Sequence, residues 1–273
     1  MKSKRKHLFS MIILCMMICL GLSFKGNVQA ATSNTYTIYV NRHSNLVNVV
    51  NTKTGKLVRA MYCSTGKNNG TITGTYRTKA KYRWRELYGN VYGQYATRIN
   101  GPYLFHSVPY YKTSCSQVET KEYNKLGKQA SQGCIRLAVV DCKWIYDHCK
   151  IGTKVVINDS KKLKKPSRSL LKISTKKKAG WDPTDPNSNN PYYPTLKLKS
   201  SSYKTVKLGH TFKYTGIINV SSKFTDSKTF LSKVKVKGSV NINKVGSYKV
   251  TYSLTDPATE LTKKLTVTFK VVK

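Results

Sequence analysis

The chain has 273 residues, with 49 Lys and Arg against 11 Asp and Glu, giving a formal charge of +38 at pH 7. Such a length accommodates two modest domains, and such a field draws a protein towards polyanions. No nucleic-acid fold signature accompanies the charge, and no stretch beyond the first thirty residues is apolar enough to cross a bilayer, so neither nucleic acid nor a membrane interior is expected as its partner.

Residues 1–30 read as a secretory signal peptide. Lys2, Lys4, Arg5 and Lys6 precede an apolar run from Leu8 to Leu22, and Val28-Gln29-Ala30 supplies small residues before Ala31. An uncleaved anchor is the alternative, but the run is short for a span. Five basic residues lie in this leader, so the remainder keeps +33. For an exported, monomeric protein with that charge, the expected polyanion is an anionic cell-wall polymer, and the expected location is secreted, in the wall or envelope.

Residues 36–157 carry mainly short strand patterns. "YTIYVN" and "LVNVVN" alternate, "NTKTGK" makes a turn, and "LVRAMYCS", "TGTYRT" and "GPYLFHSV" follow as further strands. One helix is expected near Val139 to His148, then a last strand at "TKVVIN". Residues 158–195 hold "KKLKKP", "KKK" and "DPTDPNSNNP", a basic Pro- and Lys-rich connector with order expected around Trp181. Alternation resumes over 196–273 in "KVKVKGSV", "GSYKVTYSLTD" and "KLTVTFKVV", an all-β module without cysteine.

Beyond the leader lie Cys63, Cys115, Cys134, Cys142 and Cys149, an odd number that leaves at least one unpaired. Cys142 and Cys149 are seven apart, about 10 Å along a helix, too far to bridge each other. They are buried helix residues or partners for cysteines elsewhere. Cys134, in "ASQGCIRL", is the candidate free thiol: Gly133 admits close approach to its sulfur, and Arg136 offers a fixed cation. A cysteine attacks as thiolate, which a neighbouring imidazolium stabilises. His106, at the end of the strand "YLFHS", is the best placed of four histidines to supply it and to shuttle protons later. The spacing of 28 residues is weak evidence by itself.

At these residues the sequence resembles the L,D-transpeptidase catalytic domain, the YkuD family. The resemblance runs from about Tyr36 to Ile157 through "STGKNNGTITGTYRT", "FHS", "SQGCIRL" and "DCKWIYDHCKIGTKVVI". It implies a mainly β fold, a β-sandwich catalytic domain with a short helix. It also implies that Cys134 attacks a peptidoglycan stem tetrapeptide at the carbonyl of its third residue, releasing D-alanine and leaving a thioester. His106 would be the base and Ser107, through its backbone carbonyl, its orienting partner. Ser131 and Arg136 would shape the site, and N–H groups around Gly133 and Cys134 would hold the oxyanion. Gln132 stands where the family often has histidine; it cannot titrate, so proton transfer should not depend on it. No cofactor and no metal are implied.

The stretch between Ser107 and Ser131, with Tyr110, Tyr111 and Tyr123, is longer than in compact relatives and reads either as a lid or as a surface excursion. "VGSYKVTYSLTDPATE" resembles the close of bacterial Ig-like surface domains, implying a C-terminal Ig-like β-sandwich that serves as a spacer or binds the wall. Alternation would place Lys233, Lys235 and Lys237 on one strand face. An exported L,D-transpeptidase that crosslinks stem peptides is the reading that follows. An L,D-carboxypeptidase passing the same thioester to water, or a non-catalytic wall-binding protein, are the alternatives.

Overall fold

The structure, a computed structural model, describes residues 34–273, so the expected signal peptide lies outside it. Among the described residues no helix is long and apolar enough to cross a membrane. The first region opens with β1 (Tyr36–Asn41), β2 (Leu46–Asn51) and β3 (Leu57–Ser64), as their alternation predicts. It continues with β4 (Gly74–Arg77), β5 (Ala80–Leu87), β6 (Val91–Asn100) and β7 (Tyr103–Ser107). Then come β8 (Val118–Glu119), a one-turn α1 (Thr120–Tyr123), β9 (Ile135–Leu137), α2 (Val139–His148) and β10 (Lys154–Asn158).

Nine strands hydrogen-bond in the order β4-β10-β1-β2-β3-β9-β7-β6-β5. β3 joins the two halves: it pairs with β2 along most of its length and with β9 at Cys63 and Ser64. Ile38, Val47, Val49 and Met61 from one half share a core with Ile99, Phe105, Ile135 and Leu137 from the other, and with Val139, Cys142 and Ile145 of α2. Each fully buried aliphatic side chain of this set contributes about 1.5–3 kcal/mol of transfer free energy. β7 and β9 run parallel with His106 opposite Arg136. Because alternate residues share a face, this register puts Leu104, His106, Cys134 and Arg136 on one side of the sheet.

β5 and β6 form a hairpin absent from the expected elements. Leu87 pairs with Val91 across Tyr88, Gly89 and Asn90, and both Gly89 and Asn90 take positive φ. The Gly-Asn pair between two aromatic-rich runs is the signal that marks it. The 107–131 stretch is a surface excursion only at residues 111–114 and is otherwise anchored in the core. Tyr110 and Tyr123 are fully buried, Tyr110 edge-on to Trp84 at 5.2 Å, and only Tyr111 is exposed.

The 158–195 segment is bound to the first region along its length. Asn48 exchanges two hydrogen bonds with the Lys164 backbone, and Asn124 does the same with Ile173, each side-chain amide acting as a short piece of strand. Leu171 and Ile173 enter the core, and β11 (Ala179–Gly180) pairs with β8. Asp182, Thr184 and Asp185 are buried, with Asp182 accepting from the Val139 N–H at the start of α2. Trp181 is only half-buried.

The last region holds β12 (Thr195–Leu198), β13 (Thr205–Lys207), β14 (Ile218–Ser221), α3 (Ser227–Ser232), β15 (Lys235–Lys237), β16 (Gly246–Thr255) and β17 (Thr262–Val272). Val250, Tyr252, Leu254, Val267, Phe269 and Val271 fill its core with Phe230 from α3. Lys233 caps α3 rather than lying in a strand, so the expected three-lysine face reduces to Lys235 and Lys237 on β15. Here the helix takes the residues that alternation alone assigned to a strand.

Candidate functional site

His106 is held by the Ser107 carbonyl and by Gly93. Its Nδ1 lies 2.5 Å from the Ser107 carbonyl, so Nδ1–H donates there and Nε2 is the free nitrogen. Gly93 of β6 faces the ring, and a Cβ there would stand 2.9 Å from Nδ1. The Ser107 hydroxyl accepts from the Gln94 N–H at 2.8 Å and donates to the Val108 carbonyl at 2.9 Å. Gln94 in turn donates to Asp185 at 2.8 Å, so the supposed connector braces the strand behind the imidazole.

Cys134 sits at the end of a turn built on glycine. Gly133 has φ +140°, and a Cβ on it would come within 2.9 Å of the Tyr103 ring and 3.0 Å of the Gly70 carbonyl. Ser131 shapes the turn internally: its hydroxyl donates to the Cys134 carbonyl at 2.6 Å and accepts from the Gly133 N–H at 3.0 Å. The Gly133 N–H expected for the oxyanion is therefore already committed. Thr71, which sequence reasoning missed, accepts from the Gly66 N–H and donates to the Gly133 carbonyl, both at 2.7 Å. Gly66 is needed because a Cβ there would lie 2.6 Å from the Thr71 nitrogen.

The five cysteines among the described residues are all free thiols. The Cys134 sulfur is 3.6 Å from the Pro102 carbonyl. Burial raises its pKa, opposed by the Leu104 N–H and by Arg136 and Arg98. Burial also lowers that of His106, to about 3, and Arg136 adds to this against the pull of the Ser107 carbonyl. Both shifts favour the uncharged forms, neutral thiol and neutral imidazole, over the thiolate–imidazolium pair expected from the residue types. A site that disfavours charge, with an arginine beside the ring, cannot hold an imidazolium cheaply.

His106, Ser131, Gln132, Gly133, Cys134 and Arg136 line one cleft of about 470 Å³. Ser107 lies behind it, fully buried. Gln132 is exposed at the rim. Arg136 is half-occupied: Glu122 accepts from its Nη1 at 2.7 Å, while its Nε is buried without a partner. Burial pushes the Glu122 carboxyl up, but Lys125 and Arg136 outweigh it and hold it below its usual range. The far wall is the β5–β6 hairpin, with Arg85, Glu86, Leu87, Tyr88 and Arg98.

Residues 35–157 match the model of the L,D-transpeptidase catalytic domain, YkuD, and residues 196–270 that of the Ig-like domain of bacterial surface proteins. YciB of Bacillus subtilis (strain 168), named as a candidate L,D-transpeptidase, is 49% identical over 59 residues, which is 22% of this chain and 29% of that protein. An L,D-transpeptidase from Mycobacterium smegmatis is 19% identical over 45% of this chain and 58% of its own, with a TM-score of 0.38. A fused Zn-dependent amidase/peptidase and peptidoglycan-binding protein from Clostridium acetobutylicum is 31% identical over 45% of this chain and 51% of its own, with a TM-score of 0.36. The chain spans less than two thirds of the length of each of these relatives. By its two family matches it carries a YkuD-type L,D-transpeptidase catalytic domain followed by a bacterial surface Ig-like domain.

Proposed function

We propose that this protein is an exported enzyme that crosslinks peptidoglycan stem peptides through a thioester on Cys134. The observation that carries the reading is the presentation into one cleft of His106 from β7 and of Cys134 from the turn that enters the adjacent parallel strand β9, with Nε2 of the imidazole left free by the Ser107 carbonyl. Nε2 takes the thiol proton as sulfur attacks the carbonyl carbon of the third stem residue. The oxyanion is held by the Cys134 N–H, since the Gly133 N–H is committed to Ser131. The C–N bond to D-alanine then breaks, and the imidazolium returns the proton to the leaving amine. An acceptor amine attacks the thioester, loses its proton to His106, and restores the thiol.

With both partners neutral at rest, the proton moves as the C–S bond forms, so the enzyme never stores a charged pair in a buried site. The wall is the proposed location, and anionic wall polymers are proposed partners through the +33 outside the leader. The test is incubation of the protein with purified tetrapeptide stems, followed by mass analysis. Dimers with stoichiometric D-alanine release support the reading. Trimmed monomers alone would assign the thioester to hydrolysis, and unchanged stems would reject the enzyme.

A further inference from the structure

The cleft holds three arginines, and they are not equivalent. Arg136 is tied to Glu122. Arg98 and Arg85 form no ion pair among the described residues. Glu86 also lines the cleft and is likewise in no ion pair there, so it neutralises neither. An unpaired guanidinium in a cleft marks a place for an anion.

Arg98 lines the cleft two strands from the sulfur, on the same face of the sheet. It pairs in register with Leu104 on β7, and the parallel register of Phe105 with Ile135 brings Leu104 alongside Cys134. Its field is felt there, since it favours the Cys134 thiolate. The side chain is also pre-oriented. Nη1 donates to the Gly101 carbonyl, Nε donates to the Tyr82 hydroxyl at 3.4 Å, and the guanidinium lies 5.5 Å from the centre of the Tyr82 ring. Arg85 approaches the same ring at 5.1 Å. These contacts occupy Nε and Nη1 and leave Nη2 without a partner among the described residues.

The proposed reaction fixes what anion comes near. In a stem ending in D-alanine, the terminal carboxylate carbon is three bonds from the carbonyl carbon that sulfur attacks. A donor placed for attack at Cys134 must bring that carboxylate within a few ångströms of the sulfur.

Resting on the reading above, we propose that Arg98 binds the C-terminal carboxylate of the donor stem and so selects donors that end at the leaving residue. Tyr82 and the Gly101 carbonyl hold the guanidinium ready, and Arg85 adds positive charge behind it. Arg136 is left to Glu122 and the turn around Cys134. Binding here orients the scissile bond, so the effect falls on thioester formation and not on the later attack by the acceptor.

The test compares two synthetic tetrapeptide donors, one with a free C-terminal carboxylate and one with a carboxamide, by intact mass of the Cys134 thioester over time. A charge-assisted hydrogen bond makes the wild type about ten- to a hundredfold faster on the free acid in kcat/KM. Arg98→Gln should lose that preference by slowing on the acid and not on the amide, and Arg98→Lys should keep part of it. Melting temperature checks that each variant folds, and the wild-type comparison stands without any variant. Equal wild-type rates on the two donors, or an undiminished preference in Arg98→Gln, would overturn the assignment of Arg98. No thioester on the wild type with either donor would instead overturn the enzymatic reading, and this inference with it.

Discussion

The two β regions of this protein solve the same problem with different regularity. In the C-terminal module, β16 and β17 pair through ten successive residues without a break, Gly246 opposite Val271 to Thr255 opposite Thr262. In the catalytic domain, β6 carries Tyr95 at φ +47° and its register to β7 shifts between Arg98 and Asn100. The irregular strand is the one that opposes His106 with Gly93 and brings Arg98 to the cleft that holds Cys134. Regular alternation builds a surface; departures from it aim side chains into a cleft.

The module has one departure of its own. Glu260 is its only non-glycine residue with positive φ among the described residues, and it is where the module meets the catalytic domain. Asp256, the last residue of the repeated Tyr and Val pattern, is buried and accepts from Ser222, Thr225, Thr259 and the Ala258 N–H, fixing the turn that presents Glu260. Glu260 then joins Arg59 at 2.8 Å and Arg168 at 3.2 Å, while both arginines also hold the buried Asp141 of α2. Tyr192 also meets Phe224 of the module, the tilted rings 5.4 Å apart. The module is thereby clamped to the catalytic domain, which a free spacer would not be.

The sharpest way to break the comparison is at the irregular end. Cys134→Ser should reduce thioester formation by more than about a thousandfold, because a hydroxyl is a poor nucleophile beside a weakly basic imidazole. The melting temperature should stay unchanged, since the volumes are similar and Cys134 is only partly buried. Cys63 is fully buried with its thiol pushed far up in pKa, so an acyl adduct mapped to Cys63 would refute the assignment.

His106→Ala should slow acylation by about 10²–10⁴-fold, the usual worth of a positioned base, while Gln132→Ala at the exposed rim should change it less than about threefold. The pH profile sharpens this. Burial disfavours imidazolium, so the base form of His106 persists as pH falls and is lost only near its pKa of about 3. The acylation rate should therefore hold from neutral pH down to about pH 4. An acid limb near pH 6.5 would show a solvated imidazole and contradict the neutral resting pair.

Much of the regular framework was legible in the sequence, and the reasons are local. The strands at Tyr36, Leu46, Leu57 and Lys154 and the helix Val139–His148 begin and end where alternation and turn residues say they should. The meeting of Cys134 and His106 at one cleft, and the contact of His106 with the Ser107 carbonyl, follow the motif that joins them in the sequence. The β5–β6 hairpin was not legible, because "YRWREL" mixes charge on both faces and its pattern does not separate core from solvent. Arg98, Gly93 and Thr71 were hidden for another reason: each acts through a contact distant in sequence. The segment 158–195 looked like a linker because its partners are backbone groups bound by Asn48 and Asn124, which leave no periodic trace.

The clamp gives a smaller, thermodynamic test. Arg168→Met leaves Asp141 buried with Arg59 alone, which should destabilise the chain by about 3–5 kcal/mol. Glu260→Ala removes a partly exposed partner and should cost about 1 kcal/mol. Trp84, Trp144 and Trp181 all precede the module, so tryptophan fluorescence reports the catalytic domain while far-ultraviolet dichroism reports both. Urea transitions by the two probes should coincide in the wild type and separate in Glu260→Ala. Separate transitions already in the wild type would show that the module folds independently of the clamp.

The smallest expected effect lies at the regular end, in the exposed lysines of β15. Lys235 and Lys237 are two of many cations, and no described contact holds either in a fixed geometry, so together they should matter little to wall binding. Replacing both with Gln should lower retention on isolated walls by less than about threefold at 0.1 M salt. The loss should disappear at 1 M, where the screening length falls from about 10 Å to about 3 Å. Replacing Lys161, Lys162, Lys164 and Lys165 should matter more per residue, because the segment is fixed; Lys161 lies 3.9 Å from the Tyr39 ring. Sedimentation with walls before and after removal of their anionic polymers measures both. Retention of the full chain that survives 1 M salt and polymer removal would sink the electrostatic account, and would direct attention to the small cleft of the module lined by Tyr203, His210 and Phe212. Aromatic faces there could stack on a sugar without any help from charge.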